Sequence, residues 1–474
     1  MSSLVQTLTA SGGPESPGFL NDLVKQLWPN LAVAVADTIK QSVEPMLDST
    51  LPSPLDTLRF VKIDLGHVPV HLDKVDVHST ENGGIKLDLD LSWDGACDIE
   101  LDGKMIPKIG VEHVKLYGRL SVLLCPLTNV LPCVGALQIA FINKPTLKMT
   151  YTDAAGIASL GVIDKALRKV IIDIISSMAV LPNRFLVKLD AANDWFKTYQ
   201  HPLGVLRLTV ESGSNFGEDA GKTKNLLKKL VHDVPDCFAT VSLSAEPEWR
   251  TKTVKNSRHP EWRETHDFLV TDHEQAIELD VKDEDTASDD DDVGIATTTV
   301  KQLLLAGGRQ ELRLVHKGEE TAGRLAVSAE FYRFVPDPAS LWGSEAEAVL
   351  GLLSVLVAAV RGLEGRREEL KPSVRVDWGE QTFRTAIKTD APGTDIANPS
   401  FDQAFQVPLK AGMVDGAPPV KLTLMNAEHE TGSVEVPLDE VLRAPSLRLE
   451  KVFGIGNGVT LSAGIWLRGV KLAE

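Results

Sequence analysis

The chain has 474 residues, 43% of them hydrophobic and 24% charged, which predicts two to four domains of ordinary globular composition. A net charge of -17 leaves no overall positive field to replace phosphate counterions, and this argues against a nucleic-acid partner. It does not exclude an anionic membrane, because a local basic face or a bound cation inverts the local sign.

Residues 1–18 read as a flexible tail with no basic segment of a signal peptide. The longest apolar run, Val349 to Val360, ends at Arg361. It is about half the roughly 20 residues that a bilayer helix requires, so it predicts a buried strand, and membrane attachment is expected to be peripheral. Cys97, Cys125, Cys133 and Cys237 form no C-x-x-C pair. They are expected to be free thiols filling small apolar gaps in a reducing compartment.

A first amphipathic helix is expected from Phe19, Leu20, Leu23, Val24, Leu27, Trp28, Leu31, Val35 and Ile39, stopping at the Glu44–Pro45 step. The period then changes to two. Ile85, Leu87, Leu89, Leu91 and Trp93 alternate with Lys86, Asp88, Asp90 and Ser92. Val114, Leu116, Gly118, Leu120, Val122 and Leu124 alternate with Lys115, Tyr117, Arg119 and Ser121. Leu137, Ile139 and Phe141 follow, then Leu147 and Met149. Each strand is thus predicted to be apolar on one face and polar on the other. A second amphipathic helix carries Ile163, Ala166, Leu167, Val170, Ile171, Ile174, Ile175 and Met178 on one side. Periodicity alone does not tell whether side chains or acyl chains fill the space between sheet and helices.

The segments FLNDLVKQLWPNL, VKIDLGHVPVHLDKVDVH, LYGRLSVLLCPLTNVLPCVGALQIAFINKPTLKMTY and VLPNRFLVKL resemble the synaptotagmin-like mitochondrial lipid-binding (SMP) domain of extended synaptotagmins and tricalbins. The resemblance covers residues 19–190, and the domain is placed at 19–197. It implies an α+β half-barrel with a seam open to lipid, a homodimer through this domain, and glycerophospholipids as cargo. On that reading the lining residues are Leu87, Leu89, Leu91, Leu116, Leu120, Val122, Leu137, Ile139, Phe141, Leu147, Met149, Leu167, Ile171 and Ile175. A groove of this kind is useful because each methylene left in water costs roughly 0.8 kcal/mol, so a two-chain lipid faces a penalty on the order of 20 kcal/mol. The family usually carries an N-terminal membrane hairpin, which is not read in this sequence.

After a linker at 198–203, GVLRLTV, DCFATVSL, NSRHPEWRETHDF and the acidic loop DVKDEDTASDDDDVG resemble a C2 domain, an all-β sandwich that binds calcium at one end. It is placed at 204–336. Asp283 and Asp285 fall on alternate positions after the AIELDV strand, so both can point to one side of a loop. Clustered carboxylates suit calcium, which takes about six to eight oxygen ligands. The family pattern adds Asp236, an earlier loop position matched by Asp219 with Glu218 competing, and Asp291 with Asp290 and Asp292 competing. Lys222, Lys224, Lys228 and Lys229 of the insert GKTKNLLKKL are candidates for docking on anionic headgroups. The stretch FGEDAGKT has Phe216 where a P-loop needs glycine, so nucleotide binding is not expected.

After a second linker at 337–346, residues 347–474 repeat the same order. GLLSVLVAAVRGLEG, KPSVRVDW, NPSFDQAFQVPL and VKLTLMNAEHETGSVEVPLDEV read as a degenerate C2 domain. Lys371 stands near the position of Asp236, and Asn426 and Glu428 replace Asp283 and Asp285. A cation beside the site opposes calcium, so this copy is not expected to bind it. Packing on the first C2 domain, dimerising and binding a protein all stay open. No G-x-S-x-G or H-E-x-x-H motif is present, and no catalytic residue is assigned. The resemblance therefore implies a non-enzymatic lipid-transfer and tethering protein, peripheral on the cytosolic face at endoplasmic reticulum–plasma membrane or other organelle contacts. The alternative is a calcium-dependent scaffold whose first domain only supports it.

Overall fold

The structure is a computed structural model that describes residues 17–50, 53, 55–80, 83–104, 106–152, 160–190, 195–216, 234–284, 290–390 and 394–473. Residues 1–16 of the predicted tail, the lysine-rich insert and residues 285–289 of the acidic loop lie outside these residues.

The first unit is built on two long antiparallel strands, β3 (Ile85–Gly103) and β4 (Ile106–Leu124). Shorter strands flank them. β1 (Arg59–Asp64) and β2 (His71–Ser79) pair with different stretches of β3, and β5 (Ala136–Phe141) and β6 (Thr146–Tyr151) with different stretches of β4. β7 (Phe185–Lys188) closes the β5 edge. The result is a seven-stranded curled sheet, with α1 (Gly18–Thr50) and α2 (Leu160–Ala179) on its apolar side.

The first helix differs from expectation in two ways. It does not stop at Glu44–Pro45 but runs on to Thr50; Leu47 beyond the proline is 1% exposed, and burying that leucine offsets the lost backbone hydrogen bond. Its apolar residues also form two stripes rather than one. Trp28, Ala32, Ile39, Val43 and Leu47 pack on the sheet, with the Trp28 indole N–H donating to Gly66 O at 3.0 Å. Phe19, Leu23, Leu27, Leu31 and Val35 stay exposed.

Two β-sandwiches follow. In the first, β8 (Gly204–Ser214), β11 (Glu261–Val270), β14 (Arg309–His316) and β15 (Glu319–Val335) make one layer. β9 (Cys237–Leu243), β10 (Trp249–Arg250), β12 (Ala276–Asp283) and β13 (Asp291–Thr299) make the other. The second sandwich repeats this pairing. β16 (Gly351–Arg361), β19 (Ser400–Leu409), β22 (Arg448–Gly454) and β23 (Thr460–Leu472) face β17 (Pro372–Trp378), β18 (Gln381–Arg384), β20 (Val420–Asn426) and β21 (His429–Val436). The apolar run at Val349–Val360 supplies β16, buried from Gly351 to Val360.

The sandwiches are joined by strand pairing: Tyr332 to Val335 of β15 lie antiparallel to Gly469 to Leu472 of β23. The second sandwich thus packs on the first, one of the three options left open. Residues 337–346 are built into the second core, where Leu341 is 2% exposed.

The half-barrel sits on both sandwiches. Asn143 Oδ1 accepts from Ala276 N at 2.7 Å and from Ser244 Oγ at 2.8 Å, and its Nδ2 donates to Glu274 O at 3.1 Å. Lys86 Nζ reaches Asp272 at 2.5 Å and Asp88 at 2.9 Å. Burial opposes both charges there, but each ion outweighs it for the other: Asp272 is held below the usual carboxylate range and Lys86 above the usual amine range. Asp76, Asp88, Ser121 and Gln138 on the polar side of the sheet are buried; alternation marks that face as polar and does not tell what covers it. Toward the second sandwich, Lys188 pairs with Asp402 at 2.6 Å, and Tyr199 stacks on Trp466 at 5.1 Å.

His201 packs edge-on against both of those rings. Burial pushes its imidazole down to about 3, and Arg468 and Arg448 push the same way. An unfolded histidine titrates near 6.5. Between these values the unfolded chain binds the extra proton, so stability present at neutral pH is lost as the pH falls below about 6.5. Scanning calorimetry from pH 7 to pH 5 is expected to show the melting temperature falling by a few °C. His201→Phe is expected to flatten that slope; an unchanged slope would refute the assignment.

Candidate lipid groove and cation pole

The apolar side of the half-barrel divides into a sealed part and an open part. Where both helices cover the sheet, Trp93, Leu101, Ile109, Val111, Val114, Leu147 and Tyr151 pack against Trp28, Leu167, Val170 and Ile174. Four predicted lining residues, Leu116, Met149, Leu167 and Ile171, join Leu147 in this packed region. Phe141 is 9% exposed, its ring lying over Gly118, where a Cβ would meet it at 2.7 Å.

Toward the sandwiches the same face opens. Leu87, Leu91, Leu120 and Val122 are only partly buried, around a small cluster of Leu72, Val75 and Leu89 with Leu20 of α1. Leu137, Ile139 and Ile175 are half-buried as well. Register puts Val122 opposite Ile139 and Leu124 opposite Leu137, and carries the face onto β7 with Ile139 opposite Phe185 and Leu137 opposite Val187. Phe185 is 42% and Leu189 44% exposed. These two were missed from the sequence, although the alternation Phe185, Val187, Leu189 marks them. An apolar sheet face that its own helices leave half-covered can take up acyl chains.

The second site is the pole of the first sandwich away from the half-barrel. β9 begins and β12 ends there, whereas Ser244 and Asp272, which meet the half-barrel, lie past the opposite strand ends. Asp283 Oδ1 accepts from Asp236 N at 2.6 Å, and Asp236 Oδ1 accepts from Asn256 N at 2.7 Å. Asp291 stands across from Asp283 in the β12–β13 register, and Asp292 across from Lys282. The local field is negative: burial first, then Asp283 and Asp236, push the Cys237 thiol up to about 12.

Asp236, Asp283 and Asp291 bring carboxylates, the donor type that a hard cation takes, to three strand ends. Among the described residues no three His, Cys, Asp or Glu side chains converge. Asp219, Asp285, Lys222, Lys224, Lys228 and Lys229 lie outside the described residues.

The second sandwich repeats this backbone with different chemistry. Lys371 N donates to Asn426 Oδ1 at 2.6 Å, as Asp236 N does to Asp283. Ala427 N donates to Lys371 O at 2.9 Å, as Glu284 N does to Asp236 O at 2.9 Å. Lys371 therefore replaces Asp236, and Asn426 replaces Asp283. Arg384 binds Glu428 at 2.9 and 3.1 Å, filling the pole with an internal ion pair.

The cysteines are free, and Cys97 is half-buried while Cys125 and Cys237 are buried. Cys133 departs from the filler expectation: it is exposed on the loop between β4 and β5. Among the described residues no helix is long and apolar enough to cross a membrane.

Comparison with known proteins matches this architecture. Residues 14–190 match the family model described as the synaptotagmin-like mitochondrial-lipid-binding domain, and residues 204–314 and 351–451 match the C2 domain. The chain is an SMP–C2 protein: an α+β half-barrel followed by two C2 sandwiches. In this order of domains it is similar to the extended synaptotagmins. It is 26% identical over 488 residues to mouse extended synaptotagmin-2, covering 97% of this chain and 55% of the relative. It is 31% identical over 468 residues to human extended synaptotagmin-2, covering 94% of this chain and 48% of the relative. The chain thus spans about half the length of these relatives. A solved structure of extended synaptotagmin-2 that comprises its SMP domain and two C2 domains superposes with a TM-score of 0.65 over 97% of this chain and 100% of the other, at 23% identity. That likeness concerns the fold.

Proposed function

We propose that this chain is a non-enzymatic lipid carrier and tether. It holds glycerophospholipids in the open part of the SMP face and docks on anionic membranes through a calcium-binding first C2 domain. The observation that carries this reading is the half-covered apolar face formed by Leu87, Leu91, Leu120, Val122, Leu137 and Ile139. Similarity to extended synaptotagmins supports lipid binding and tethering as its context.

The exposed stripe Phe19, Leu23, Leu27, Leu31 and Val35 supports a homodimer through the SMP domain, since contiguous exposed apolar surface marks an interface. At the first C2 pole, Asp236, Asp283, Asp285 and Asp291 hold calcium with Asp219, and Lys222, Lys224, Lys228 and Lys229 meet headgroups. Bound calcium supplies the positive charge that an acidic pole lacks toward an anionic leaflet. The site of action on this reading is the cytosolic face of a contact between two membranes, at the endoplasmic reticulum and plasma membrane or between other organelles.

Native mass spectrometry of the purified chain is expected to show co-purifying phospholipid, and the chain is expected to transfer labelled phospholipid between liposomes. Bare protein mass together with no transfer would leave the calcium-dependent scaffold.

A further inference from the structure

The loop between β4 and β5 has no role in the functions above. It is an ordered hairpin. Leu127 and Val134 form a β-bridge, Gly135 N donates to Pro126 O at 2.8 Å, Thr128 N to Cys133 O at 2.9 Å and Cys133 N to Val130 O at 2.6 Å. The Thr128 hydroxyl also donates to Val130 O at 3.0 Å.

Its tip is apolar and uncovered with both C2 domains in place: Leu131 is 87%, Val130 61% and Leu127 46% exposed. No charged residue occurs from Ser121 through Asn143. Turn tips in water are normally built from glycine, asparagine, aspartate and serine. Scattered exposed aliphatics need no explanation, but a contiguous patch on an ordered hairpin does.

The patch continues the groove. Leu124 and Leu137, the last inward residues of β4 and β5, are paired at the hairpin base. Leu189, 44% exposed, follows Phe185 and Val187 on the open edge and donates its N–H to Gly135 O at 3.0 Å. Apolar residues therefore line a track from Leu120 and Val122, past Leu137 and Leu189, to the hairpin base at Leu127 and Val134, with Leu131 at the tip beyond.

We propose that the hairpin Pro126–Gly135 is the lipid portal of the SMP domain: its tip enters the interface of a bilayer and acyl chains pass along this track into the groove. The inference rests on the lipid-groove reading. A bilayer is favoured over a protein because three exposed aliphatic side chains at one tip fall well short of the ~800 Å² per partner of a stable protein interface. The paired hairpin backbone also lowers the cost of leaving water. At the hairpin base Cys125 Sγ lies 3.8 Å from Lys197 O and 3.6 Å from Gln200 Nε2; the tip shares no residue with the Asp236–Asp283 pole, so on this proposal its contact with the bilayer is independent of calcium.

Cys133, the one exposed cysteine among the four, allows a direct test on the full chain. A polarity-sensitive fluorophore on Cys133, with Cys133→Ser as the labelling control, is mixed with phosphatidylcholine vesicles in a calcium chelator. Emission is expected to shift to the blue and to be quenched by lipids carrying spin labels on their acyl chains. In parallel, Val130→Asp/Leu131→Asp is expected to slow phospholipid transfer by at least about tenfold while native mass spectrometry still finds bound lipid. No blue shift, or transfer at the parent rate, overturns the portal. A change of the parent's oligomeric state in this variant, read by analytical ultracentrifugation, would assign the tip to contact between copies and also overturn it. Absence of lipid from the parent chain would instead refute the groove.

Discussion

Replacing Asp236 and Asp283 together by asparagine is expected to abolish calcium-stimulated binding to phosphatidylserine-containing vesicles and to weaken calcium binding by on the order of 100-fold or more, since affinity at such sites follows ligand charge. The fold is expected to survive. Asp283 Oδ1 accepts from Asp236 N, and the second C2 domain shows an asparagine in that place, with Asn426 Oδ1 accepting from Lys371 N at 2.6 Å. Asparagine at Asp236 likewise keeps an oxygen for Asn256 N. Vesicle flotation and isothermal calorimetry read the two effects. Because Lys371, Asn426 and the Arg384–Glu428 pair leave the second pole unsuited to a cation, the doubly substituted chain is expected to give no residual calcium heat. A micromolar isotherm would contradict both assignments.

The second large effect concerns the groove. Leu120→Lys/Ile139→Lys places two cations on the half-covered face, where the folded chain already admits water; unfolding free energy is expected to drop by less than about 3 kcal/mol. Bound phospholipid is expected to disappear from native mass spectra, because a lysine beside acyl chains must shed its hydration. Val114→Lys serves as the contrast. Val114 is 7% exposed beneath the helices, and a lone charge there costs several kcal/mol, so that variant is expected to unfold. Equal destabilisation by both changes would mean that the face is a closed core.

These two contrasts mark what the sequence could convey. Leu120 and Val114 belong to one alternation on β4, and period two places both on the apolar face. Nothing in that alternation tells that one is covered and the other open, because cover depends on how far α1 and α2 reach along the sheet. Asp88 and Ser121 read only as polar-face residues for a similar reason: the cover on that face comes from a sandwich distant in sequence, through Lys86 and Asp272. Proline at Pro45 read as a helix stop because the compensating burial of Leu47 is tertiary.

The C2 repeat was more legible, since substitution of Asp236 by Lys371 and Asp283 by Asn426 occurs at matched strand ends. Arg384 as the partner that fills the second pole was not, because it comes from a neighbouring strand. The hairpin tip escaped notice because an uncharged stretch between two strands looks the same whether its turn is buried or bare.

The pairing of Tyr332–Val335 with Gly469–Leu472 bears on orientation. Together with the seats of Asn143 on one sandwich and Tyr199 on the other, it ties the three domains into one frame. On the proposed function, the heading of the groove is set at the moment the first C2 domain lands, with the second C2 domain as a keel.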